Sequence, residues 1–213
     1  MELSDITKIK NTIPSDVRIV CATKYVEAED MLKLFNVGLK DFGENRVEAF
    51  LNKYHALKNY DITWHFIGHL QTNKASKIIN EIDYLHSLSS IKLAKIISKA
   101  RKTPLKCFIE VNINAEESKS GIAVSELIDF VKEIKDYPNL EIIGLMGMSK
   151  SASSKEDKLK QFKYLADLQK DINAKLGLNL AELSMGMSDD YLEAIKAGAT
   201  FIRLGRILWT QKN

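Results

Sequence analysis

The chain has 213 residues, 45% of them apolar and 28% charged, with a net charge of +3. That length and composition suit one water-soluble domain with a sizeable core, and so small a charge, spread over scattered lysines, argues against a nucleic-acid partner. The longest apolar run, Ile142 to Met148, is too short to span a membrane. Residues Met1 to Asn11 mix acidic and basic side chains without an apolar core, so no secretory signal is expected. Cys21 and Cys107 stand alone in strand-like runs, as core residues of a reduced, cytoplasmic protein do.

In chain order, strand-like and helix-like patterns alternate eight times. Strands are expected at 17–24, 39–43, 62–68, 83–88, 105–113, 140–148, 181–185 and 200–204. Helices are expected between them near 26–37, 45–58, 72–80, 90–101, 123–136, 155–176 and 189–197, with a final turn after 205. Strict βα alternation implies a parallel sheet, and eight units imply a closed α/β (TIM) barrel, a single (β/α)8 domain over residues 1–213. An open doubly wound sheet is the competitor. It would want a glycine-rich phosphate turn after the first strand, which Thr23-Lys24-Tyr25 is not.

The first strand ends in a lysine. Alternation puts Arg18, Val20, Ala22 and Lys24 on one face and Val17, Ile19, Cys21 and Thr23 on the other. At the carboxyl end of a barrel strand Lys24 either snorkels to solvent or, if desolvated, condenses with a carbonyl. Glu110 and Asn112 share one parity in the fifth strand, and His65 sits opposite Trp64 and Phe66 in the third. Buried, these polar groups need partners, either in a pocket around Lys24 or in a structural network lower in the barrel. His65 and His69 have helical metal-ligand spacing but sit on a strand running into Gly68, so no metal is expected. Asn45 follows the second strand, where it either opens a helix or meets a ligand ring.

The seventh and eighth strand ends share a layout. Leu183 to Asp190 is a strand, the Gly186 turn and a Ser/Asp helix start, and Gly198 to Arg206 repeats strand, glycine and helix start. Each alone is an ordinary capped turn. Together they occupy the two positions where barrels hold a phosphate, with Gly186 and Gly205 admitting the anion and Ser188 adding a hydroxyl. A lysine after the first strand and such a cradle describe a site for a phosphorylated aldehyde, with pyridoxal 5′-phosphate (PLP) the leading candidate.

With these residues in place, the chain resembles the YggS/PROSC-type PLP-binding proteins, also called PLP homeostasis proteins, over nearly its whole length. The resemblance is carried by Ala22-Thr23-Lys24, Phe42 to Val47, Trp64 to Lys74, Ser184 to Ser188 with Asp190, and Arg203-Leu204-Gly205-Arg206. It implies a barrel like the N-terminal domain of bacterial alanine racemase. By position, Lys24 resembles the Schiff-base lysine, Asn45 a contact near the cofactor ring, and Arg203 the arginine facing the pyridine nitrogen. Ser188, the backbone around Met187, and the amides of Gly205 and Arg206 resemble the phosphate site. Two departures stand out: a short N-terminal helix, and Ile207-Leu208-Trp209-Thr210 in place of the family's usual Phe-Gly.

An arginine opposite the pyridine nitrogen disfavours its protonation and weakens the ring as an electron sink. The racemases also draw a second acid–base group from a domain for which this chain has no room. The resemblance therefore implies a PLP carrier in vitamin B6 homeostasis without efficient turnover, a monomer touching apo PLP enzymes only transiently. A weak amino-acid racemase and a Schiff-base lyase of sugar phosphates are the alternatives.

Overall fold

The computed structural model describes residues 1–115 and 120–210. Eight parallel strands close into a barrel with helices between them. In chain order the strands are β1 (Arg18–Ala22), β2 (Asp41–Glu44), β3 (Thr63–Phe66), β4 (Tyr84–Leu88), β5 (Leu105–Asn112), β6 (Ile122–Ala123), β7 (Leu140–Met146), β8 (Glu182–Met187) and β9 (Phe201–Leu204). Neighbours pair in sequence, except that β5 pairs with β7, and β9 returns to β1 with Val20 opposite Arg203. The closed barrel read from the alternation is the observed fold. The two-residue β6, an appendage beside Val111 and Asn112, lies outside the expected strands.

The helices α1 (Ile6–Lys10), α2 (Ala28–Asn36), α3 (Val47–Leu57), α4 (Thr72–Ala75), α5 (Ile91–Ala100), α6 (Leu127–Ile134), α7 (Lys155–Leu176) and α8 (Tyr191–Lys196) fill the connections. The boundaries of α7 match the sequence expectation because both of its ends are capped locally. Ser154 Oγ accepts from Asp157 N at 3.1 Å, and Gly177 closes the helix at φ 62°. The helix expected over 72–80 is in fact one turn, α4, and turns continue to 81. Ile78, Ile79 and Ile82 are all buried there, so their spacing reports burial rather than helix.

Strand parity sorts the core into two shells. Ile19, Cys21, Phe42, Trp64, Cys107 and Ile109 face the helices, whereas Val20, Tyr84, Phe108, Met146 and Phe201 fill the barrel interior. Burial raises both cysteine thiols far above their ordinary range.

The two departures at the chain ends meet. In the short first helix Ile6 and Ile9 are buried. Leu3 forms an antiparallel bridge with Trp209, Ser4 N donates to Leu208 O at 3.0 Å, and Thr210 N donates to Glu2 O at 3.0 Å. Leu208 and Trp209 are buried in this strap.

Among the glycines, Gly144 on β7 leaves the least room for a side chain, because β8 lies against it. A Cβ on Gly144 would lie 1.8 Å from the carbonyl oxygen of Glu182, so a methyl there has to push the paired strands apart. Gly144→Ala is expected to cost about 3 kcal/mol or more. A urea midpoint unchanged from wild type would refute this account of the β7–β8 approach.

Candidate functional site

The carboxyl-terminal mouth begins at the top of β1. Thr23 is fully buried, and its hydroxyl donates to Glu44 Oε1 at 2.6 Å while its N–H donates to Gly43 O at 3.0 Å. From α3, Lys53 Nζ donates to Thr23 O at 2.7 Å and forms a close ion pair with Glu44. Glu44 Oε2 in turn accepts from Asn45 N at 3.3 Å. One buried ion pair thus ties down the residues flanking both Lys24 and Asn45. Lys24 itself is exposed, with its amine 5.0 Å from the centre of the Tyr25 ring.

Lys24 lines a mostly apolar cavity of ≈ 280 Å³ together with Ala22, Tyr25, Gly205, Arg206 and Trp209. The fold therefore brings the β1 lysine and the β9 turn onto one wall. Asn45, Ser188 and Arg203 lie outside that lining. Asn45 directly follows β2, the neighbour of β1, and is pressed against Gly68, where a Cβ would come within 2.3 Å of Asn45 O. Its Oδ1 is buried without a hydrogen-bond partner among the described residues.

The β8 and β9 turns meet through Ser188. Gly186 adopts φ +90°, and a Cβ there would lie 2.5 Å from Ala194 Cβ, so only glycine fits this turn. The turn carries Ser188 Oγ to a point where it accepts from Gly205 N at 3.2 Å and Ile207 N at 3.4 Å. Asp190 shapes the turn from behind: Oδ1 accepts from Met187 N at 2.6 Å and Oδ2 accepts from Ser149 Oγ at 2.6 Å. The Met187 side chain is exposed, and the Arg206 guanidinium is held in an ion pair by Asp189.

Arg203 points into the barrel and is buried. Its Nη1 donates to Ser184 Oγ at 2.7 Å and its Nη2 to Gly147 O at 3.3 Å. Burial pulls the guanidinium down to about 10, against the attraction of Asp190 and Glu110, so it stays charged at neutral pH. Glu110 Oε1 accepts from Ser120 Oγ at 2.5 Å, and its Oε2 is buried without a partner among the described residues.

His65 belongs to the lower network. It bonds Asp41 through Nε2 and His86 through Nδ1, both at 2.9 Å. Burial, the largest influence on both rings, lowers the His65 pKa and lowers that of His86 further. Sequence reasoning missed His86, Ser184 and the Glu44–Lys53 pair. His86 was within reach, because Tyr84-Leu85-His86 has the same alternation that flagged His65. The Lys53 pairing joins an α3 lysine to two strand ends and leaves no local signal.

The family model for the alanine racemase N-terminal domain matches residues 4–212, the class that this barrel and its C-terminal mouth define. A pyridoxal phosphate homeostasis protein of Synechocystis is 40% identical over 208 residues, covering 95% of each chain. The chain belongs to the pyridoxal phosphate homeostasis protein family. The structure of PipY from Synechococcus elongatus without PLP superposes at TM-score 0.90 with 28% identity, covering 96% of this chain and 98% of PipY. PipY with PLP bound gives TM-score 0.88 with 26% identity, covering 96% and 98% of the two chains. An alanine racemase of Clostridium difficile, at 16% identity and TM-score 0.80, shares the fold over 97% of this chain and 56% of its own.

Two predictions arise from the buried charges and rings. Lys53→Met leaves Glu44 buried and unpaired and is expected to cost roughly 3–5 kcal/mol in urea unfolding; a cost below about 1 kcal/mol would show that water replaces the ammonium. For the histidines, a folded pKa below the unfolded value means that the unfolded chain takes up protons first. Stability is therefore expected to fall as pH drops below about 6.5, by up to about 1.4 kcal/mol per pH unit for each ring. Urea midpoints between pH 7.5 and 5.5 check this, and a slope equally steep in His86→Phe would assign the loss elsewhere.

Proposed function

We propose that this protein binds PLP at the carboxyl-terminal mouth of its barrel and serves intracellular PLP homeostasis, holding the cofactor and giving it up without efficient turnover. The observation that carries the reading is Ser188 Oγ between the amides of Gly205 and Ile207, on the β9 turn that shares a cavity wall with Lys24. A position where two N–H groups converge on one oxygen suits a phosphate oxygen. The unpartnered Asn45 Oδ1 suits a ligand that donates a hydrogen bond. Membership of a family whose relatives are named for PLP homeostasis, and a structural relative with PLP bound, support the same cofactor.

When bound, PLP supplies an aldehyde that a lysine amine can capture. In this reading Lys24 supplies that amine, and its exposure leaves it open to solvent and to competing amines. Ser188, the backbone at Met187, and the amides of Gly205 and Arg206 hold the phosphate, while Asn45 contacts the ring. Arg203 faces the pyridine nitrogen, where a charged donor disfavours protonation and so weakens carbanion stabilisation. That argues for a carrier rather than an amino-acid enzyme. The barrel, acting as one domain over residues 1–213, works in this reading as a cytoplasmic monomer that meets apo PLP enzymes transiently. Two buried, unpaired cysteines fit a reducing compartment. No helix among the described residues is long and apolar enough to cross a membrane.

The test is the visible spectrum of the purified protein mixed with PLP, followed by borohydride reduction and peptide mapping. An absorption band with the pyridoxyl label on Lys24, both lost in Lys24→Ala, is the expected result. No band, or a label scattered over surface lysines, would overturn the cofactor assignment. Steady racemisation of alanine that Lys24→Ala abolishes would overturn the carrier role.

A further inference from the structure

A chain of hydrogen bonds crosses the barrel interior from one mouth to the other. Arg203 Nη1 donates to Ser184 Oγ at 2.7 Å, and that oxygen lies 2.7 Å from His86 Nδ1. His86 Nε2 lies 2.9 Å from His65 Nδ1, and His65 Nε2 lies 2.9 Å from Asp41 Oδ1. Asp41 opens β2 at the amino-terminal mouth, where Arg18 Nη1 also reaches it at 3.5 Å. Ser184, His86 and His65 are each 0% exposed, so water does not compete along the path.

The two ends set the direction of every bond between them. A guanidinium only donates and a carboxylate only accepts. Ser184 Oγ therefore accepts from Arg203 and turns its own hydrogen toward His86 Nδ1. His86 then carries its proton on Nε2 and donates it to His65 Nδ1, and His65 donates from Nε2 to Asp41. Both rings are neutral in this arrangement, the form that burial favours. Reversing the chain without adding a proton would set a bare ring nitrogen of His65 against the Asp41 carboxylate.

The rings are held as well as bonded. His65 stacks on Tyr84 with centroids 4.5 Å apart and planes 8° apart, and His86 stacks on Phe108 at 4.5 Å. Tyr84 is itself fixed by Arg18 Nη1, which donates to its hydroxyl at 2.9 Å.

We propose that His65 and His86 are positioning residues for Arg203. Through Ser184 they carry the fixed acceptor of Asp41 to the guanidinium, and so determine which Arg203 N–H groups are left to face a ligand. The consequence for PLP rests on the reading of Arg203 as part of the cofactor site; the tautomers and the tethering of Arg203 do not.

The experiment therefore begins without PLP, on 15N-labelled full-length protein. Both rings are expected as Nε2–H tautomers, with the Arg203 side-chain N–H signals protected from exchange. His86→Phe keeps a ring against Phe108 but removes both nitrogens, and it is expected to lower that protection about tenfold, with partial recovery in His86→Gln. Ser184→Ala, a smaller change, gives the same readout if His86→Phe fails to fold. With PLP added, affinity is expected to fall about fivefold in His86→Phe and in Ser184→Ala, and no further in the double variant. Nδ1–H tautomers, unaltered Arg203 exchange in both folded variants, or additive affinity losses would overturn the proposal. If wild type takes up no PLP, the site reading falls while the exchange data still decide the tether.

Discussion

A closed parallel barrel turns every second side chain of each strand into a space that water does not share. A polar group placed there has to find its partner inside the barrel or at one of the two mouths. This constraint accounts for most of what is distinctive in the interior. The interior could have been filled by branched apolar side chains alone, yet it holds two imidazoles, a serine hydroxyl and a guanidinium beside Val20, Phe108, Met146 and Phe201. Their hydrogen-bonding capacities fit end to end, with a pure donor at Arg203 and a pure acceptor at Asp41, and that fit makes their burial tolerable.

The mouth follows a different rule. There the backbone does the holding, and the side chains that would meet a ligand are left partly unengaged. Gly186 and Gly68 allow turns and contacts that any Cβ would block, which places Ser188 over the β9 amides and Asn45 against the barrel rim. The Glu44–Lys53 pair then fixes the Thr23 turn and the Asn45 N–H from below. Replacing such a pair with apolar side chains is often neutral for stability. Its position under both Lys24 and Asn45 gives it a structural purpose that a stability argument alone would not supply.

Much of this was legible in the sequence wherever a signal was local. Alternation in β1 put Val20 and Cys21 on opposite faces, which the barrel turns inward and toward the helices, and the expected helix over 155–176 is α7. The glycine turns at 186 and 205 pointed to strand ends that do meet, through Ser188. What stayed hidden depends on contacts distant in sequence. Ser184 and His86 are 98 residues apart, and nothing near either one announces the other. Likewise Leu3 and Trp209 pair only because barrel closure brings the chain ends together. The 72–80 segment misled for the opposite reason: buried isoleucines at helical spacing imitate an amphipathic helix whatever backbone carries them.

The geometry also bears on release, which a homeostasis role requires as much as binding. A cofactor enzyme gains from burying its lysine and reserving the anion position for phosphate alone. Here Lys24 is open to solvent, and the Ser188 hydroxyl already satisfies the Gly205 and Ile207 amides. On the proposed assignment, a departing phosphate leaves no stranded buried donors at those two amides, and the protein side loses little when the cofactor goes. Arg203 is the contrasting case: bonded to Ser184 and to the Gly147 carbonyl, it is in place before any ligand arrives. If Arg203 meets the ring and these amides meet the phosphate, as proposed, a preformed contact on one side and self-satisfied amides on the other lower the ordering cost of capture without deepening the bound state. That balance suits a protein that lends a reactive aldehyde better than one that consumes it.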